Sequence, residues 1–164
     1  MAAIVLLGAA FIFLVNGAFM LGKIEGKGAA APNAVIGTLI AILSLLIAWG
    51  AKDAGTYIVA GLAMTFSIFY LTLAWGLFGG HDLRGVGWYC LAAAIFVAFT
   101  AVFYATVPDL RFFLLAVAWA ILFFLAFLAM ALGASLAKLI GWLLIIESVV
   151  TLMYPAFLIL AQWW

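Results

Sequence analysis

Residues 110–132 read LRFFLLAVAWAILFFLAFLAMAL. Arg111 is the one charge in this stretch, and from Phe112 to Leu132 no side chain carries a charge or an amide. A helix that crosses the hydrocarbon core of a bilayer needs ~20 predominantly apolar residues. The run is apolar on every face, as a helix in lipid should be, because only helices and closed barrels satisfy their backbone groups there. It is too long for a barrel strand and does not alternate.

Outward from this segment the pattern repeats. Apolar runs cover Ala2–Gly22, Asn33–Ala51, Thr56–Phe78, Gly87–Thr106 and Ala137–Trp163. The breaks are Lys23-Ile24-Glu25-Gly26-Lys27 with a Pro32-Asn33 start signal, then Lys52-Asp53-Ala54-Gly55 and Gly79-Gly80-His81-Asp82-Leu83-Arg84-Gly85. Val107-Pro108-Asp109 and Gly133-Ala134-Ser135 complete the set. Gly, Pro and Asp are the residues that stop helices. The expected fold is an all-α integral membrane protein, a single domain over 1–164, with six transmembrane helices arranged as three helical hairpins. Short basic loops join the hairpins. Small residues such as Gly8, Gly17, Gly37, Gly61 and Ala92-Ala93-Ala94 let helices approach where no hydrophobic force drives one against another.

Composition points the same way. The chain is 73% hydrophobic and 7% charged, with a mean hydropathy of +1.49. A soluble domain averages roughly 45–50% apolar and about 25% charged residues, so lipid is the solvent this chain requires. The 164 residues accommodate six spans and no large soluble catalytic domain. A net charge of +1 gives no electrostatic argument for nucleic acid. The single cysteine, Cys90, has no internal disulfide partner. Met1–Leu21 could pass for a signal peptide, but Lys23 and Lys27 follow the apolar run instead of preceding it, so it reads as a retained first span. Lys23, Lys27, Arg84 and Lys138 fall at odd-numbered breaks, against Lys52 and Arg111 at even ones. The excess of basic residues puts the odd loops in the cytoplasm and both termini outside. The inner (plasma) membrane is the expected location.

Few polar side chains lie at membrane depth. Glu147, within Ile145-Ile146-Glu147-Ser148-Val149-Val150, is the sharpest. A carboxylate there costs about 2.5–3.5 kcal/mol on insertion scales, so it should face protein or water. It is either a pore or substrate-site residue or a structural carboxyl in a packed site. Asn16 is either glue between helices or a pore residue. Tyr70, Trp75, Trp119, Phe13, Phe66 and Phe123 are packing or belt residues in most spans. Aromatic faces with one carboxylate would nonetheless suit a small, neutral, planar solute and exclude ions. No paired carboxylates or histidine relay, metal-ligand cluster, phosphate-binding loop or catalytic triad is present in the sequence. The reading is of a transport protein and not an enzyme, with neither metal nor cofactor implied.

These residues resemble the AmiS/UreI family of urea and short-chain amide channels. Ile145-Ile146-Glu147-Ser148-Val149-Val150-Thr151, with Pro155-Ala156 and Gln162-Trp163-Trp164, resembles its last helix. Asn16-Gly17 with Leu21-Gly22-Lys23 resembles its first helix and loop. Phe69-Tyr70-Leu71, Asp82-Leu83-Arg84 and Trp88-Tyr89 resemble the third helix, the following loop and the fourth helix. The resemblance implies a six-helix channel, a homohexamer with one pore per protomer, passing urea or short amides passively to a cytoplasmic urease or amidase. It assigns Glu147, Tyr70 and Trp119 to the pore, with Phe123 replacing a second tryptophan. It places apolar pore positions near Leu6, Ala9 and Phe13, and at Phe66.

One departure concerns gating. Acid-gated members carry long, histidine-rich external loops, whereas the second and fourth loops here are minimal and His81 falls in a loop expected to be cytoplasmic. Histidine is the side chain whose ordinary pKa lies near 6.5, so the expectation is a channel without acid gating. The alternatives are a proton-coupled carrier using Glu147, and a non-transporting membrane anchor subunit for an enzyme complex.

Overall fold

The computed structural model describes residues 1–107 and 109–164. The described chain is helical: α1 (Ala2–Met20), α2 (Gly26–Gly50), α3 (Ala54–Gly79), α4 (Arg84–Thr106) and α5 (Leu110–Met130). The last span joins α6 (Ala137–Glu147), a π-helical turn (Ser148–Met153) and α7 (Tyr154–Leu160). Six helical segments are thus long and apolar enough to cross a membrane. Pro108, in the fourth break, lies outside the described residues.

Helix ends differ from the sequence expectation at instructive places. Pro32-Asn33 does not open α2, which begins at Gly26 and carries Pro32 inside it. Proline removes one amide donor from the helix. Its neighbours Gly28 and Ala29-Ala30-Ala31 are small, and Asn33 Nδ2 donates to the Ala29 carbonyl at 2.9 Å. The aspartates of the second and fourth breaks start helices instead of stopping them. Asp53 caps α3, accepting from the Thr56 amide at 2.8 Å and the Thr56 hydroxyl at 2.7 Å. Asp109 caps α5 through the Phe112 amide at 3.1 Å. Side-chain acceptors at an N-cap satisfy amides that have no partner inside the helix. Gly80 closes α3 with φ +63°, a left-handed conformation that glycine adopts without steric cost.

The spans form three intimate antiparallel pairs: α2 with α3, α4 with α5, and α1 with the last span. The basic odd-numbered loops connect one pair to the next. Close approach rests on small residues. A Cβ on Gly17 would stand 2.9 Å from the Gly141 carbonyl oxygen, and one on Gly141 would stand 3.1 Å from that of Gly17. Gly37 admits Tyr70 and Leu71 in the same way, and Gly87 admits Ala131. Polar ties add to the packing. Ser148 Oγ donates to the Ala10 carbonyl (2.7 Å), and Ser67 Oγ to that of Gly37 (2.8 Å). Large apolar side chains such as Trp49, Leu110, Phe99 and Val35 project from the outer surface. That is the arrangement lipid permits and water does not.

Loops 21–25, 80–83 and 131–136 lie at one end of the bundle. Met1, loop 51–53, the start of α5 and Trp164 lie at the other. Facing sides of α1, α3, α5 and α6 enclose the interior space described next.

Candidate functional site

Two cavities lie along the axis between these helices. The larger, 340 Å³, extends toward the odd-loop end and is walled by Phe13, Asn16, Phe69, Phe123, Met130 and Leu144 among others. The smaller, 40 Å³, extends toward the terminal end and is walled by Leu6, Ala9, Leu62, Phe112 and Leu152 among others. Phe66 and Trp119 belong to both walls. Their ring centroids stand 5.5 Å apart at 85°, an edge-to-face contact. The two rings therefore stand between the larger cavity and the smaller.

A ladder of aromatic rings supports this contact. Phe66 also meets Phe13 (6.0 Å), Phe123 (5.0 Å) and Tyr70 (6.1 Å) between centroids. The spacing of Phe66, Phe69, Tyr70 and Leu73 on α3, and of Trp119, Phe123 and Ala126 on α5, turns each set onto one helical face. The path is almost wholly apolar, so a permeating ion would lose its hydration with nothing to replace it.

Asn16 supplies a polar group on the larger cavity's wall. Its amide pairs with that of Asn33: Asn16 Nδ2 donates to Asn33 Oδ1 at 3.1 Å, and Asn33 Nδ2 donates to Asn16 Oδ1 at 2.6 Å. Both hydrogens of Asn33 are used, the second by Ala29. Asn16 keeps one N–H outside this pair. The two readings open from the sequence, interhelical glue and pore residue, are thus compatible in one side chain.

The structure brings together Phe13, Asn16, Phe66, Trp119 and Phe123 around the larger cavity, and Leu6 with Phe66 and Trp119 around the smaller. Glu147 and Tyr70 line neither. Glu147 is 8% exposed, with Oε2 unpaired in the protein. It stands one turn from Leu144, which lines the larger cavity, and one turn from Thr151, which touches Trp119. Tyr70 is fully buried with an unpaired hydroxyl, its Cβ set close against Gly37. Trp75 lies on the outer surface near the odd-loop end, its ring 6.2 Å from that of His81. Among the described residues no cluster of side chains suited to holding a metal occurs.

Sequence reasoning misses two contributors. Asn33, beside Pro32, reads as a helix start, although a second amide inside an apolar run, on the helix after Asn16, signals a partner. Thr151 accepts the Trp119 indole N–H at 3.0 Å and donates to the Glu147 carbonyl at 2.8 Å. Its position four residues beyond Glu147, on the same helical face, is the available hint.

Comparison with known proteins fits this geometry. The pattern of the AmiS/UreI family transporters matches residues 1–163. A Mycolicibacterium smegmatis protein named for the transport of amidate substrates is 31% identical over 161 residues, covering 93% of this chain and 73% of that one. The acid-activated urea channel of Helicobacter pylori is 26% identical over an alignment of 194 positions that covers both chains completely. The crystal structure of the urea channel from that organism superposes with a TM-score of 0.88, covering 100% of this chain and 99% of that one at 26% identity. The cryo-electron microscopy structure of the same channel in its closed state gives 0.89, with both chains fully covered at 26% identity.

Proposed function

The chain belongs to the AmiS/UreI family of transporters, and on that premise we propose that it is a passive channel for urea or short-chain aliphatic amides. The observation that carries this reading is the pair of cavities meeting at the Phe66–Trp119 contact. An apolar, ring-lined route with a single free amide N–H suits a small, flat, neutral solute that sheds little hydration energy. The amidate and urea names of the relatives agree with that class of solute. The proposed pore residues are Leu6, Phe13, Asn16, Phe66, Tyr70, Trp119, Phe123 and Glu147, with the last accepting from solute N–H groups when a ring swings aside.

The channel is proposed to open without acid. Loop 51–53 is three residues long, and α4 and α5 are separated by 107–109. The acid-activated relative aligns over 194 positions against 164 residues here, so 30 of those positions have no counterpart in this chain. The one histidine, His81, sits at the odd-loop end, away from the termini. The excess of basic residues at that end supports its placement in the cytoplasm, with both termini outside the inner membrane. A homohexamer serving a cytoplasmic urease or amidase completes the proposal.

Stopped-flow light scattering on proteoliposomes tests it, with urea and acetamide at pH 7 and pH 5. Fast uptake of either solute at both values is the expected result. Uptake no faster than through empty vesicles would overturn the channel reading in favour of an anchor subunit, and uphill accumulation driven by a pH gradient would replace it with a coupled carrier.

A further inference from the structure

The last span is not a regular helix where it passes the Phe66–Trp119 contact. Over Ser148–Met153 it opens into a π-helical turn, and the Tyr154 amide bonds back five residues to the Val149 carbonyl. Pro155, which has no amide hydrogen, follows at once. Single π-turns inside α-helices are rare and are frequently found at functional sites. This one carries Thr151, whose hydroxyl hydrogen is committed to the Glu147 carbonyl at 2.8 Å. The oxygen is thereby turned so that a lone pair meets the Trp119 indole N–H at 3.0 Å. Thr151 itself lines neither cavity, so whatever it does to a solute it does through Trp119.

We infer that Thr151 is a positioning residue that sets solute selectivity by locking the Trp119 ring across the route against Phe66. The inference rests on the channel reading above. With its N–H engaged by Thr151, Trp119 presents no donor to a solute, and its plane cannot turn about the indole axis without breaking that bond. The opening then discriminates by width, and its edge-to-face geometry with Phe66 is held fixed. Without the acceptor, the ring gains rotational freedom and the opening loses its fixed width. Larger amides should then pass more readily relative to urea.

The test compares Thr151→Val, Thr151→Ala and Thr151→Ser in proteoliposomes, reading the butyramide-to-urea permeability ratio. The Val and Ala variants are expected to raise the ratio by about tenfold or more, the lower end of the range that close-fitting sites show for methyl-sized differences. Thr151→Ser, which keeps the hydroxyl, should stay at the original ratio. Thr151→Val added to Trp119→Phe should change nothing further, since the donor is already gone. The indole N–H signal of Trp119 in ¹⁵N-labelled protein reports the contact independently of flux, and should move in the Val and Ala variants but not in Ser. A moved indole signal with an unmoved ratio would overturn this inference and leave the channel standing. An equal further change in the Trp119→Phe background would do the same. Unmodified protein that passes neither urea nor butyramide would sink the channel reading itself, and the selectivity role with it.

Discussion

The side-chain amides of Asn16 and Asn33 face each other across the contact between α1 and α2 and exchange hydrogen bonds of 3.1 and 2.6 Å. Both side chains are buried, so without Asn33 the Asn16 amide has no side-chain partner, while without Asn16 the Asn33 amide keeps only its bond to the Ala29 carbonyl. A double-mutant cycle with Asn16→Ala and Asn33→Ala should give a coupling energy of ~0.6–1.7 kcal/mol, the range found for such bonds between membrane helices. Reversible unfolding in mixed micelles measures it. Purely additive losses would mean that the pair does not tie the helices.

Gly17 and Gly141 bring the backbones of α1 and α6 into contact, and a Cβ at Gly17 would stand 2.7 Å from Ile145 Cγ1 as well as close to a carbonyl. Gly17→Ala should destabilise the protein by about 1–3 kcal/mol, as overpacking commonly does. The same unfolding assay checks this, and an unchanged midpoint would show that the contact yields freely.

Phe66 walls both cavities and packs on four other rings. Phe66→Ala should raise propionamide permeability relative to urea by about tenfold or more, because a methyl-sized group is worth ~1–3 kcal/mol in a close-fitting site. Stopped-flow ratios decide it. A fall in both permeabilities together would mean that the ring supports the route instead of narrowing it.

Glu147→Gln keeps the shape of the side chain and removes its capacity for charge. If the carboxyl group helps a solute through, flux should fall several-fold while the unfolding midpoint stays close to that of the unmodified protein. Unaltered urea and acetamide flux would assign Glu147 to packing.

Flux should change by less than about twofold between pH 7 and pH 5, since the one histidine, the side chain that ordinarily titrates in that interval, lies in the 80–83 loop. Glu147 is the proposed pore carboxyl whose protonation would break this expectation, and the same profile taken with Glu147→Gln reads its part. His81→Gln should leave this profile as it is. The carboxylate at the opposite end does not alter the expectation. The Thr56 hydroxyl, and after it the Thr56 amide, hold Asp53 below its ordinary pKa. A depressed carboxylate contributes its stabilisation above the unfolded value and loses it only as pH falls through the folded one. The α3 cap is therefore intact throughout the interval tested. A several-fold rise at pH 5 would overturn the ungated reading.

The six spans could be read from the sequence because lipid offers backbone groups no partner, which forces long apolar runs and drives charge to the breaks. Lys52-Asp53 and Asp82-Leu83-Arg84 mark such breaks without ambiguity. Which helices pair was not legible, because each span is apolar all round and shows no preferred inner face. Trp119, Phe123 and Phe66 reached the expected site through family resemblance, not through spacing. The Asn16–Asn33 pair and the Thr151–Trp119 contact depend on the relative rotation of helices, which a single sequence does not encode locally. The π-turn is the extreme case: Pro155 hints at an irregularity, but one extra residue in a turn leaves no compositional trace.

The pairing of α1 with the last span has a temporal side. Residues 21–136 separate Met20 from Ala137, and chains are made at ~5–20 residues per second. The first span emerges many seconds before the helix that covers its glycine face exists. During that wait α2 is the neighbour already present, and the Asn16–Asn33 amide bridge gives the nascent pair a directional tie in a medium that supplies no hydrophobic one. A protein whose bundle closes only when its final helix is made would gain most from such an early clasp, so loss of Asn33 should show in the yield of inserted protein before it shows in the stability of what has folded.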